Sequence, residues 1–284
     1  MQKKYFSVYE IVITFVIIVQ STSSYSQDKI YYLYDRGHGI PTSQFGTYIR
    51  EGELLIYSFY EYYKDNNIEY EANDFGYLSK KEVRGIYKAH EGLIFVGYGI
   101  TEQLAVEVEA GIISAKLYKS EHDTSRMPSL LSESGLSDVE GQIRWRWNRE
   151  AVDIPEFYNY FEFVFPTGKS NSLIGTSEWE FKLGTGLIKG FNWGTLTLRA
   201  AFDYAMKEKK IEFGEYALEY LKRISDKFRI FVMIEGSEDE ASIVPEIQWH
   251  INPNIFLKAG SGIALTSKAI DFAPEVGIMF SFMP

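Results

Sequence analysis

The stretch Asp271-Phe-Ala-Pro-Glu-Val-Gly-Ile-Met-Phe-Ser-Phe282 reads as two interleaved sequences. Its even positions are Phe272, Pro274, Val276, Ile278, Phe280 and Phe282; its odd positions are Asp271, Ala273, Glu275, Gly277, Met279 and Ser281. Successive side chains of a strand point to opposite faces, so this segment is a strand with one apolar face and one small or polar face. The same alternation runs upstream. Ala241, Ile243, Pro245, Ile247, Trp249 and Ile251 alternate with Ser242, Val244, Glu246, Gln248 and His250. Val139, Gly141, Ile143, Trp145 and Trp147 alternate with Glu140, Gln142, Arg144 and Arg146. Phe157, Phe161, Phe163 and Phe165 share one face of a further strand, opposite Tyr158, Tyr160 and Glu162.

Counting back from the last strand predicts twelve, over about 52–66, 82–98, 104–117, 137–147, 156–166, 178–190, 194–206, 213–224, 228–236, 241–251, 255–265 and 271–282. Residues 64–81 hold either an extra hairpin or one long loop. Gly99–Gln103, Asn148–Glu156, Phe191–Gly194, Ser225–Lys227 and Asn252–Asn254 are short to medium turns. Longer polar loops, such as Lys119–Ser137 and Pro166–Glu178, fall between them, with shorter ones near 207–212, 236–240 and 266–270. Short turns at one end and longer loops at the other, on an even number of antiparallel strands, are the pattern of an outer-membrane barrel.

Composition agrees. The chain has 284 residues, no Cys, 16% aromatic residues, 29 basic against 39 acidic residues and a net charge of -10. Without cysteine there is no disulfide scaffold, thiolate metal site, thiol nucleophile or lipidated cysteine. The acidic balance argues against a nucleic-acid partner, and the 45% hydrophobic content argues against disorder. A mean hydropathy of -0.18 is the average of an apolar face and a charged one. The competing reading is a soluble sandwich or lipocalin-like barrel, with the apolar faces inside. Twelve strands of Trp, Phe and Leu make an interior too wide to fill. Moreover, Trp145, Trp147, Phe157, Trp179, Trp193, Phe280 and Phe282 lie near strand ends, where interfacial girdles belong. The fold class is therefore all-β, an antiparallel transmembrane barrel.

Three segments follow. Lys3 and Lys4, the apolar run Ile11–Val19 and the small residues up to Ser26 have the order of a secretory signal peptide over 1–26. A nine-residue run is too short to cross the ~30 Å hydrocarbon layer as a helix. Removing 1–26 takes out Lys3, Lys4 and Glu10 and leaves 27 basic against 38 acidic residues. Residues 27–50 form a periplasmic or plug segment, for which the aromatic Tyr31-Tyr32-Leu33-Tyr34 is suited, and 51–284 form the barrel.

The polar faces carry Glu107, Glu109, Glu140, Arg144, Arg146, Glu162, Glu180, Lys182, Arg199, Asp203, Glu215, Glu219, Arg223, Arg229, Glu235, Glu246, Lys258 and Glu275, with His250 beside them. Eleven are acidic and seven basic. Arg144 and Arg146 fall between strands bearing Glu107/Glu109 and Glu162, while Arg199 neighbours Glu180 and Glu215/Glu219. Two readings are open: a salt-bridge lattice that stiffens the barrel, because a lone buried charge costs several kcal/mol, or a polar conduit with a weak cation preference. Catalysis lacks the necessary parts. The four histidines are His38, His90, His122 and His250, and no Gly-x-Ser-x-Gly, His-Glu-x-x-His or phosphate loop occurs. No catalytic residue, cofactor or metal ligand is expected; acidic loop tips such as Glu235–Glu240 are ordinarily solvated.

Tyr98-Gly99-Ile100-Thr101, Gly135-Leu136-Ser137-Asp138-Val139, Phe165-Pro166-Thr167-Gly168 and Pro274-Glu275-Val276-Gly277, in that order, resemble the outer-membrane barrels grouped as "MetA-pathway of phenol degradation" proteins. Asp35-Arg36 through Pro41-Thr42-Ser43 resembles that family's opening, and the likeness covers about residues 35–282. The resemblance implies passage of small, often aromatic or hydrophobic molecules across the outer membrane of a Gram-negative-type cell. The expected partners are outer-membrane lipid, the barrel insertion machinery and small solutes. In such barrels a terminal Phe serves as an assembly signal; here Phe282 is followed by Met283-Pro284. The alternatives are a non-transporting structural or adhesive barrel with a charge-paired lumen, and a membrane-embedded lipid hydrolase.

Overall fold

A strand with one apolar and one charged face can be satisfied twice over if the sheet closes on itself: the apolar face meets lipid, and no edge is left unpaired. That is the arrangement in the computed structural model, which describes residues 33–168, 173–176, 178–206 and 209–283. The expected signal segment, together with Tyr31 and Tyr32, lies outside the described residues.

Two short strands, β1 (Ile40–Pro41) and β2 (Tyr48–Ile49), form a hairpin ahead of the barrel. The wall is built from β3 (Leu54–Glu71), β4 (Glu82–Gly99), β5 (Leu104–Tyr118), β6 (Leu130–Leu136), β7 (Val139–Asn148), β8 (Glu156–Phe165), β9 (Glu180–Phe191) and β10 (Gly194–Ala205). It continues through β11 (Lys210–Arg223), β12 (Phe228–Ser237), β13 (Glu240–Asn252), β14 (Ile255–Ala264) and β15 (Phe272–Phe282). Every neighbouring pair is antiparallel, and β15 returns to β3 to close the ring, Phe282 opposite Leu54 and Phe272 opposite Lys64. Since β6 and β7 pair with successive halves of β5, they occupy one strand position. The result is a closed, twelve-stranded antiparallel transmembrane barrel.

Two details depart from the sequence reading. The loop expected over Lys119–Ser137 is shorter, because Leu130–Leu136 extends the wall against the upper half of β5. Residues 64–81 hold neither an extra hairpin nor one long loop. Instead β3 and β4 run on together to Glu71 and Glu82, and a 3-10 turn at Ala72–Phe75 joins them. This long hairpin packs Tyr70, Ala72 and Val83 against Leu117 of β5 and Met127 of the β5–β6 connection, and Tyr70 Oη donates to Asp123 at 3.1 Å. It stands above the rest of the wall.

The exterior is apolar around the ring: Ile112, Leu183, Leu198, Phe202, Ile247 and Val276 are all exposed. Rings cluster at both ends. Trp145 with Trp147, Phe191 with Trp193 and Phe228 with Trp249 lie at the short-turn end, and Phe163, Phe165, Trp179 and Phe181 lie at the other. Inside, Tyr158 and Tyr160 of β8 lie opposite Gly186 and Gly184 of β9, and a Cβ at either glycine would fall within the tyrosine ring. Gly186→Val is therefore expected to lower stability by about 1–3 kcal/mol through overpacking, read as a lower urea midpoint of the barrel in detergent.

Candidate functional site

The segment that precedes the wall lies inside it. Ile40 and Ile49, neither with any exposed surface, pack against Leu55, Tyr57 and Phe59 of β3, Leu93 and Phe95 of β4, Ala105 and Met279. On this side the inner wall is apolar because it receives the hairpin. Polar contacts then carry the segment across the lumen. The Ser43 hydroxyl donates to Glu107 at 2.8 Å, and Gln44 Nε2 donates to Glu109 at 2.7 Å, both on β5. On the opposite wall Gln248 Nε2 donates to the Phe45 carbonyl at 3.1 Å. The Phe45 ring lies 6.0 Å from that of Phe231 and carries the Lys258 ammonium 4.2 Å from its centroid.

The start of the segment is held by buried charge. Arg36 donates to Glu150 at 2.9 Å and to Glu156 at 3.3 Å, and all three side chains are buried. Glu150 also accepts the Gly190 N–H at 2.8 Å. Asp35 accepts the Arg223 N–H at 2.9 Å and lies 3.5 Å from Lys222. Burial pushes the Asp35 carboxyl above the usual range, against the opposing pull of those two partners.

All nineteen side chains singled out on the polar faces point inward, but the structure joins only some of them. Arg144 reaches Glu107 at 3.3 Å, donates to the Pro41 carbonyl at 3.1 Å and lies under the Tyr158 and Tyr160 rings. Lys182 bridges Glu162 (3.3 Å) and Glu215 (3.6 Å); Arg199 joins Glu215 and Glu219, the latter at 2.6 Å. Lys258 joins Glu246 (3.1 Å) and Glu275 (3.8 Å). Arg146 is drawn to Glu156 (3.7 Å) and to the Gly39 carbonyl (2.6 Å) rather than to Glu162. Arg223 pairs with Asp226 in the following turn. Glu109 is engaged, among the described residues, by Gln44 alone. Among the described residues Glu140, Glu180, Asp203, Glu235, Arg229 and His250 make no ion pair, and Glu180 does not reach Arg199. His250 stacks on Phe256, centroids 4.7 Å apart. Among the described residues no serine hydroxyl bonds a histidine ring, and no group of three His, Asp or Glu is placed to hold a metal.

The hairpin divides the interior. Above it, toward the longer loops, lie cavities of ≈ 460 and ≈ 400 Å³, both bordered by Phe45, Glu61, Tyr63 and Glu275. Glu91, Glu109, Glu140 and Glu180 line the second, and Lys182 and Glu235 the first. Residues 173–176, between β8 and β9, border this chamber: Asp138 accepts N–H groups of Gly168 and Thr176, each at 2.6 Å, and Ile174 is buried against Ala89, Ile113 and Ala115. Below, toward the short turns, are cavities of ≈ 490 and ≈ 740 Å³ rich in guanidinium groups. Glu61, Glu91, Tyr63 and the anchors Glu150 and Glu156 were not singled out from sequence, and Asp35 and Arg36 only as the opening of a motif, not as lumenal charges. On β3 both faces carry large aromatic residues, so alternation does not separate them; the anchors sit outside strand interiors or at a strand start.

No family model matches the chain, and no curated protein does. Solved structures do match in fold. An outer membrane channel described as COG4313, from Pseudomonas putida F1, superposes with a TM-score of 0.63 at 12% identity, covering 85% of this chain and 99% of that one. The KdgM porin gives 0.51 at 8% identity, covering 80% and 99%. The translocator domain of the autotransporter NalP from Neisseria meningitidis gives 0.50 at 13%, covering 81% and 88%. At such identities these matches establish the outer-membrane barrel fold and nothing finer.

Arg36 is the test of the anchoring. Arg36→Gln leaves Glu150 to Lys189 (3.0 Å) and Glu156 to Arg146 (3.7 Å); because those partners remain, the cost falls below the ~3–5 kcal/mol of a buried pair broken outright. The expected outcome is a lower urea midpoint together with new protease cleavage within residues 33–50.

Proposed function

We propose that the protein is an outer-membrane channel for small solutes, shut at its waist by residues 33–50 and opened when that segment moves. The observation that carries this reading is the division of the lumen: cavities lie on both sides of the Ile40–Ile49 hairpin, which is held by apolar packing against β3 and β4 and by polar contacts to β5 and β13. The described names of two fold relatives, a channel and a porin, point the same way, while the autotransporter domain is a reminder that the fold serves other ends. Membership of the phenol-degradation barrel family rests on the motifs in residues 35–282, and aromatic or hydrophobic solutes are the class that resemblance suggests. Export by residues 1–26, outer-membrane lipid around the apolar band and assembly by the insertion machinery belong to the same proposal.

The charge of the upper chamber sets its selectivity. Glu61, Glu91, Glu109, Glu140, Glu180 and Glu235 outnumber Lys182 there, so the chamber concentrates cations over anions. Deleting residues 28–48 should raise single-channel conductance in planar bilayers, and the deleted barrel should prefer K⁺ over Cl⁻ by its reversal potential. Glu109→Gln with Glu140→Gln should reduce that preference. The ion-paired belt of Arg144, Lys182 and Arg199 favours a second reading, a structural barrel with a closed lumen. A folded deletion variant that passes neither ions nor small solutes supports that reading and sinks the channel.

A further inference from the structure

The cavity below the hairpin has a feature that neither a stiffening lattice nor a cation-preferring conduit calls for. Arg223 of β11 and Arg229 of β12 are directly opposed across the strand pair, on the inner face. Like charges directly opposite one another destabilise a sheet, so such a pair needs a counter-charge. Arg223 has one in Asp226, and its guanidinium also lies 5.6 Å over the Tyr34 ring. Arg229 has none: among the described residues it makes no hydrogen bond or ion pair. Asp35 is close enough to act on it electrostatically, but that carboxyl accepts the Arg223 N–H and lies against Lys222. Arg36 and Arg50, the other guanidiniums bordering the space, are committed to Glu150 and Glu156 and to Glu53.

Two further polar atoms in the same wall are buried without partners. Gln248, opposite Arg229 on β13, is completely buried, and its Oε1 has no donor. The His250 Nε2 is likewise buried and unpartnered; as the Nε2–H tautomer it is a donor. Around them stand Tyr48, Phe256, Leu55 and Met279, in a cavity of ≈ 740 Å³. Ligand sites combine an apolar lining with a few convergent polar groups in a volume of about 300–1,000 Å³. The guanidinium fork matches a carboxylate.

We infer that this cavity is a binding site for a small carboxylate with an apolar body, its anionic end held between Arg229 and Arg223 with His250 as a third donor, and its body against Tyr48 and Phe256. The site stands independently of the channel reading, since it needs no passage through the hairpin.

The test is calorimetric titration of the purified full chain in detergent with benzoate, with benzyl alcohol and inorganic phosphate as comparison probes. Benzoate should bind saturably. Arg229→Gln should weaken it about tenfold to a hundredfold, the equivalent of one lost charge-assisted hydrogen bond, and Arg229→Lys should keep part of the affinity. Benzyl alcohol, without the charge, and phosphate, without the apolar body, should both bind more weakly. Without ligand, Arg229→Gln should unfold at a urea midpoint no lower than the wild type, because it relieves the opposed pair. Should Arg229→Gln not fold, that stability forecast fails and the inference with it. The inference is also overturned if benzoate does not bind saturably, if Arg229→Gln binds it as tightly as the wild type, or if benzyl alcohol or phosphate matches it.

Discussion

Everything in this molecule hangs on the seam where β15 meets β3. In hydrocarbon an unpaired backbone N–H or C=O costs several kcal/mol, and an open sheet would expose a row of them at each edge. Pairing Leu54–Lys64 with Phe272–Phe282 removes both edges at once. It joins the first wall strand to the last, so no part of the wall can be finished before the whole is present. The same closure creates an inside, and that inside is where the polar face of every strand must find company.

The company comes in two forms. Along β5, β7, β8, β9, β10 and β11 the inward charges answer one another across neighbouring strands, Arg144 to Glu107, Lys182 to Glu162 and Arg199 to Glu219. Along β3 and β4 the inner face is largely apolar, and the partner is the Ile40–Ile49 hairpin. Lys258 belongs to both regimes. It is buried between Glu246 and Glu275, and it lies over the rings of Phe45 and Tyr57. A lysine so placed ties the ionic half of the lumen to the hydrophobic half.

Alternation made the wall legible in the sequence: a strand with Phe, Val and Ile at even positions and Glu, Gly and Ser at odd ones has one arrangement next to lipid. The wall strands lie within a few residues of where that pattern put them, apart from Leu130–Leu136. There Ser132, Ser134 and the polar flank of the segment blur the alternation, and the pairing with β5 decides. The inner face was readable for the same reason, wherever the opposite face was apolar. It was not readable on β3, where Tyr57, Phe59 and Tyr63 point inward while Ile56, Tyr60 and Tyr62 point outward. Which charges pair was only partly readable, since reach across a barrel depends on stagger and on a hairpin entering from elsewhere. Arg146 bonding Gly39 is such a case.

The seating of the hairpin also says something about time. Its contacts lie far along the chain: Asp35 with Arg223, separated by 188 positions, and Phe45 with Gln248, by 203. Residues 33–50 are thus made before every strand that holds them: their apolar seat on β3 and β4 follows soon after, but the contacts that carry them across the lumen wait until β11 to β14 stand opposite β5. Closing such long loops is entropically costly and slow. The first segment of the described chain therefore completes its contacts only with the last strands, and an incomplete barrel leaves its far side unheld.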